Sequence, residues 1–361
     1  MLFDGALAAQ LGREPGNYVA SPASVVLGLA MTREGARGET AEAFDRVLGE
    51  AARSVARTLL ANVATMKSGG PELAIANRLF GDRALALLPA FLEITRRDYG
   101  AAIELVDFCG AAEAARAHVN AWVAQATRDK IRELLPERSV DALTRLVLVD
   151  AIYMKAAWQT PFDAHLTGPA PFAIDGGGSR DVPTMRVVAK ARWGAHRGAR
   201  VIELPYRASE LAMLVVVPDD GRSLQDVEAA YAREGLAPFR AAAGGSNRVA
   251  IAMPKFQART SVDLKRVLVE LGLGHAFGAH SDFTGIATAP PLVIASVMHQ
   301  AWLAADELGT EAAAATAVVM MERGGGPRID QRFDVDRSFL FFVHDDADNV
   351  LFGGRIVDPT A

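Results

Sequence analysis

Apolar residues recur at helical spacing through much of the first half of the chain. Leu2, Phe3, Ala6, Leu7 and Leu11 begin an amphipathic helix near the N-terminus. Residues 17–20 are a short extended entry into Ser21-Pro22, where Ser suits a helix cap and Pro the first helical position. The missing N–H of Pro costs nothing there. Val25, Val26, Leu29 and Ala30 then form a buried stripe that ends near Gly35, and a short helix follows through Ala41, Phe44, Val47 and Leu48. Another helix is predicted through Val119, Trp122, Val123 and Ala126, with Trp122 assigned to packing.

Strand patterns dominate afterwards. Residues 74–80 read as a strand, and 146–154 form a nearly unbroken apolar run, the pattern of a strand covered on both faces. Asp150 interrupts it. Further strands are predicted at 200–205, 211–218, 248–256 and 297–304, with a helix through Leu264, Val267, Leu268 and Leu271 that stops at Gly272. Residues 339–344 and 350–356 make a hairpin across an Asp/Asn-rich turn. The glycine triplets 176–178 and 324–326 mark loop tips. No internal repeat is visible, and the expected architecture is one α+β domain over residues 1–361.

One stretch resists a simple helix assignment. From Gly309 to Ala317 every side chain is small except Glu311. Alanine favours helix, but a strand-like segment precedes this run, and a glycine triplet and Pro327 follow it. At period two, Thr310, Ala312, Ala314, Thr316, Val318 and Met320 share one face, while Glu311, Ala313, Ala315, Ala317, Val319 and Met321 share the other. Such a segment fits between two existing strands. It reads as a loop able to become a strand.

Composition narrows the function. Half of the 361 residues are hydrophobic, enough for a large core, and a formal charge of −5 gives no support for nucleic-acid binding. Pairs such as Arg96-Arg97 read as a solvated helix end. No apolar run is long enough to span a membrane. The N-terminus lacks the basic segment, apolar core and cleavage site of a leader; an extracellular or periplasmic setting is nevertheless expected. Cys109 is the only cysteine, so no internal disulfide forms, and after Phe108 it is expected to be a buried, inert thiol. There is no nucleophile elbow, His-Glu-x-x-His pair, phosphate-cradling glycine loop or Cys/His metal cluster. Neither an enzyme nor a cofactor or metal site is expected.

Several phrases carry a family resemblance. Glu307-Leu308-Gly309-Thr310-Glu311-Ala312-Ala313-Ala314-Ala315-Thr316 resembles the hinge of inhibitory serpins, the suicide-substrate protease inhibitors. The resemblance extends to Asn17-x-x-x-Ser21-Pro22-x-Ser24, Gly35-Ala36-Arg37-Gly38-Glu39-Thr40, Asn77-Arg78-Leu79-Phe80, Glu203-Leu204-Pro205-Tyr206, Met253-Pro254-Lys255-Phe256 and Leu351-Phe352-Gly353-Gly354-Arg355. Residues 145–155, followed by Trp158 and Pro161-Phe162, resemble a central serpin strand, with Asp150 where Asn is usual and Ala156 where Gly is usual. Together these motifs cover residues 3 to 359.

The resemblance implies about nine helices, three β-sheets, a large central sheet that accepts the loop as an extra strand, and an exposed reactive loop at about 307–332. Counting Glu307 as the first of seventeen places the cleaved bond at Arg323–Gly324, which suits a trypsin-like serine protease with an acidic specificity pocket. Arg328 is a weaker candidate. Ser21, Ser24, Asp150 and His299 align with the shutter beneath the central strands, and Trp158 with the breach. Asp150 in place of Asn would pair with a protonated His299 and make sheet opening pH-dependent. A monomeric, prokaryotic-type inhibitor is expected, with a covalently trapped protease as partner and neither nucleic acid nor membrane. The alternative implied is a non-inhibitory carrier, chaperone or storage protein of the same fold.

Overall fold

The computed structural model describes residues 3–49, 58, 70–101, 103–174, 177–310 and 329–361. Two hydrogen-bonded sheets organise them. The six-stranded sheet has the order β10 (Phe256–Asp263), β11 (Ser296–Ala305), β12 (Gly309–Thr310), β4 (Leu146–Ala157), β2 (Glu72–Asp82) and β3 (Glu104–Val106). The other runs β1 (Tyr18–Ala20), β15 (Val350–Ile356), β14 (Phe339–His344), β8 (Ala212–Pro218), β7 (Ala199–Pro205), β6 (Ser179–His196), β9 (Gly245–Pro254) and β13 (Gln331–Asp334), with β5 (Gly168–Ala173) also paired to β6.

The second and third sheets expected from the sequence share one strand. β6 is 18 residues long; its first part pairs with β5 and β9, and its last residues pair with β7. The ladder is therefore continuous across both groups.

Eight α-helices are present among the described residues: α1 (Phe3–Leu11), α2 (Pro22–Arg33), α3 (Gly38–Leu48), α4 (Pro89–Tyr99), α5 (Phe108–Ala126), α6 (Leu224–Glu234), α7 (Ala237–Ala242) and α8 (Lys265–Leu268). The predicted helix through Leu271 is shorter than expected. It closes as an irregular turn over Val269–Leu273, with Gly272 at φ 109° in the region that glycine tolerates.

The period of β4 explains its unbroken apolar run. Leu146, Leu148, Ile152 and Met154 join the core that contains Leu27 and Leu29 of α2. Val147, Val149 and Ala151 point the other way and pack with Val119 and Val123 of α5. Both faces are covered, so both sets of positions are apolar. Trp122 packs edge-on against Phe80, as expected for a packing residue. Cys109 differs from expectation: it is exposed. Phe108 fills the buried position at the start of α5, and its neighbour is turned outward.

Candidate functional site: the seam between β4 and β11

Between β4 and β11 the six-stranded sheet forks. Residues 147–153 of β4 pair in parallel with 296–302 of β11, ending at Trp302 opposite Tyr153. Beyond that point β12 enters between them, with Thr310 opposite Ala305 on one side and Ala156 on the other. Thr310 is fully buried. Gly309 runs against the backbone of β4 so closely that a Cβ there would lie 1.9 Å from the Ala156 carbonyl oxygen. Only glycine fits at this position without moving the strand.

The turn that delivers β12 is tied down on every side. The Asp306 carboxylate accepts from Leu308 N–H at 2.9 Å and Gly309 N–H at 3.1 Å. Trp158 donates its indole N–H to the Asp306 carbonyl and its backbone N–H to the Leu308 carbonyl, each at 2.9 Å. Phe162 N–H donates to the Glu307 carbonyl at 2.8 Å. The Glu307 carboxylate lies 2.7 Å from the Lys255 ammonium and accepts from the Thr167 hydroxyl at 2.8 Å. Burial raises this carboxyl, but the Lys255 and Thr167 bonds outweigh burial and hold it below the usual range.

Under the wedge lies an aromatic floor. Trp158 stacks on Tyr206 with centroids 4.7 Å apart and planes 10° from parallel. The Tyr206 hydroxyl is 2.6 Å from Thr310 Oγ1. Burial pushes the Tyr206 phenol well up, more than the Thr310 bond lowers it, so it keeps its proton.

Lower on the same seam, the four residues aligned with the shutter come together, all fully buried. Ser21 caps α2 by accepting from Ser24 N–H at 3.2 Å. His299 Nδ1 lies 3.1 Å from Asp150 Oδ2, and Ser21 N–H donates to His299 Nε2 at 3.2 Å. Asp150 and His299 therefore stand in direct contact, as the alignment with the shutter implies. The Ser24 hydroxyl bonds to Asp150 Oδ1 and lies 3.0 Å from Asn77 Oδ1, while the Asn77 amide donates to the Ser24 carbonyl at 2.7 Å.

The structure thus brings Ser21, Ser24, Asp150 and His299 into one cluster and Trp158, Glu307, Gly309 and Thr310 into another. Glu311, Ala312, Ala313, Ala314, Ala315, Thr316, Arg323 and Gly324 lie outside the described residues. Sequence reasoning gave no role to Asn77, Tyr206 or Lys255, although each stands within a phrase that carries the resemblance. It gave no role to Asp306, where the stretch that carries the hinge begins, and passed over Thr167 altogether.

A family model described as Serpin (serine protease inhibitor) matches residues 3–359. Leukocyte elastase inhibitor of Bos taurus is 37% identical over 356 residues, covering 95% of this chain and 93% of that protein. Serpin B9 of Homo sapiens is 36% identical over 355 residues, with the same coverage. The crystal structure of Serpin48 of the insect Tenebrio molitor superposes with a TM-score of 0.86 at 29% identity, covering 99% of this chain and 96% of that one. These animal relatives lend no support to the expected prokaryotic type.

Proposed function

Since the chain belongs to the serpin family of serine protease inhibitors, we propose that it traps a trypsin-like serine protease as a suicide substrate cleaved at Arg323–Gly324. The protease attacks this bond and forms an acyl-enzyme in its ordinary way. Cleavage frees one end of the loop, which continues the wedge begun at Thr310 and enters the seam between β4 and β11 as a full strand. The 14 residues 310–323 would span about 45 Å at roughly 3.3 Å each. The esterified protease is carried that distance and its catalytic geometry is disturbed. Ser21, Ser24, Asp150 and His299 act as the shutter over which the strands part, and Trp158 as part of the breach where the loop enters.

The observation that carries this reading is the buried Thr310, already paired to β11 and β4 while the seam below it remains closed. The specificity rests on Arg323 alone; the relatives named for elastase do not supply it. Mixing the protein with trypsin should give an SDS-stable covalent complex, and the released fragment should begin at Gly324. Arg323→Ala should abolish trypsin trapping while leaving the unfolding midpoint unchanged. If Arg323→Ala traps trypsin at the parental rate, the bond lies elsewhere.

A further inference from the structure

Immediately ahead of the β12 wedge, the seam is closed by two aromatic rings. Trp302 and Tyr153 are the last registered pair of β11 and β4. Their ring centroids are 6.1 Å apart with planes tilted by 32°. The Lys130 ammonium stands 5.2 Å from the centroid of the Trp302 ring, on the side of the sheet that carries α5. Lys130 belongs to the segment that follows α5, in which Ile131, Leu134 and Leu135 are fully buried with Val147, Val149 and Met298 of the two strands. Two residues back along β11, on the same face, Gln300 holds this segment a second time. Its amide, oriented to satisfy its neighbours, donates to the Glu133 carbonyl at 3.3 Å and accepts from the Arg259 guanidinium at 2.7 Å.

Register shows why the pair matters. Thr310 stands opposite Ala305 and Ala156. An antiparallel strand continued by three residues sets position 313 opposite both Trp302 and Tyr153, on the face where the rings lie. The side chain at position 313 of such a strand would have to stand between the two rings. They are in contact now, and they must be separated by two strand spacings, about 9.5 Å.

We propose that Tyr153 and Trp302, held by Lys130, form a clasp whose opening is the first barrier to strand insertion beyond Thr310. The proposal rests on the insertion reading above and assigns these three residues a positioning role in it. Aromatic contact and the ammonium-over-ring interaction stabilise only the closed seam. Removing them lowers the barrier to entry and shortens the lifetime of the closed state together.

The test uses the uncleaved full chain and a synthetic peptide with the sequence of residues 310–323. Peptide annealing is followed by the rise in thermal unfolding midpoint. Trp302→Ala should anneal on the order of tenfold faster than wild type and Lys130→Ala roughly twofold to fivefold faster. Circular dichroism before peptide addition checks the fold; should Trp302→Ala not fold, Lys130→Ala, at an exposed position, decides the matter. Annealing of the folded variants at the wild-type rate or slower overturns the clasp and leaves insertion standing. If wild type neither anneals peptide nor gains stability on loop cleavage, the insertion reading itself is overturned, and the clasp with it.

Discussion

Ser24 has one hydroxyl proton and two oxygens facing it, Asp150 Oδ1 and Asn77 Oδ1. Asn77 cannot turn its amide to help, because that nitrogen already donates to the Ser24 carbonyl at 2.7 Å. An asparagine at 150 would resolve the conflict. Its amide would donate to Ser24, the hydroxyl would turn to Asn77, and its carbonyl would still accept from His299. Asp150→Asn should therefore stabilise the closed protein by about 1 kcal/mol, one satisfied buried bond. The measurement is the denaturant midpoint, with spontaneous loss of inhibitory activity on storage as a second readout. A midpoint unchanged or lowered would show that the present carboxylate is already well accommodated.

At this scale the sequence was legible where a residue announces itself locally. Ser21 before Pro22 is a cap from its neighbours alone, and Asp150 stands out as a lone charge in an apolar run. Gly309 is legible only by resemblance, since its requirement comes from Ala156, a residue far away in sequence. The roles of Asn77 and Tyr206 were not legible at all. Their partners, Ser24 and Thr310, lie 53 and 104 residues away, and nothing in a single chain's local pattern reports a pairing across such a distance.

Elements with one dominant period were read well: α2, β4, β8 and the β14–β15 hairpin stand within a residue or a few of their predicted bounds. β10 was missed because Arg259, Ser261 and Asp263 alternate with weakly apolar neighbours on an edge strand. β5 and β6 were missed because several of their residues are exposed, so a hydrophobic alternation is not required of them. Beside the site where α7 packs on β6 and β7, a polar contact has a consequence that pattern reading cannot reach. His344 is buried, donates from Nδ1 to the Asp345 carbonyl at 3.0 Å, and keeps Nε2 4.0 Å from Glu203 Oε2 beside Arg240. Burial lowers its pKa, more than the Asp345 carbonyl and the Glu203 and Asp348 carboxylates raise it; Arg240 adds to the lowering.

The sign follows from linkage. A histidine whose folded pKa is depressed takes up its proton more readily when unfolded, so its contribution is fully present above the unfolded value of about 6.5 and is lost as pH falls below it. Stability should be flat with respect to this residue above that pH and decline beneath it, by up to about 1.4 kcal/mol per pH unit. His344→Gln keeps a polar side chain without a titrating proton and should flatten that part of the curve. Chemical denaturation from pH 7.5 to 5 measures it; equal acid slopes in variant and wild type would assign the decline to other groups.

For the whole molecule, the proposed trapping makes inhibition a race between insertion and deacylation, and under that proposal a closed seam that can take another strand must be kinetically trapped. Thr310 is the residue at which this race can be biased without touching the bond. It is fully buried between β11 and β4, with its hydroxyl on Tyr206. Arginine there would place a long charged group in a closed site whose walls are Trp158, Tyr206 and the backbones of two strands. The desolvation penalty is on the order of several kcal/mol, larger than what two bridging residues return in strand pairing at about 1 kcal/mol per hydrogen bond. The wedge should stay out of the sheet, while the loop around Arg323 still presents the same bond. Trypsin would bind, cut and deacylate before insertion catches it. Thr310→Arg should therefore act as a substrate: cleaved at Arg323–Gly324, leaving no SDS-stable complex, with protease activity recovered in full. Thr310→Ala, which removes only the hydroxyl, should remain an inhibitor with a modestly higher stoichiometry. If Thr310→Arg inhibits at wild-type stoichiometry, strand insertion is not the source of inhibition, and simple occlusion of the protease active site would have to account for it.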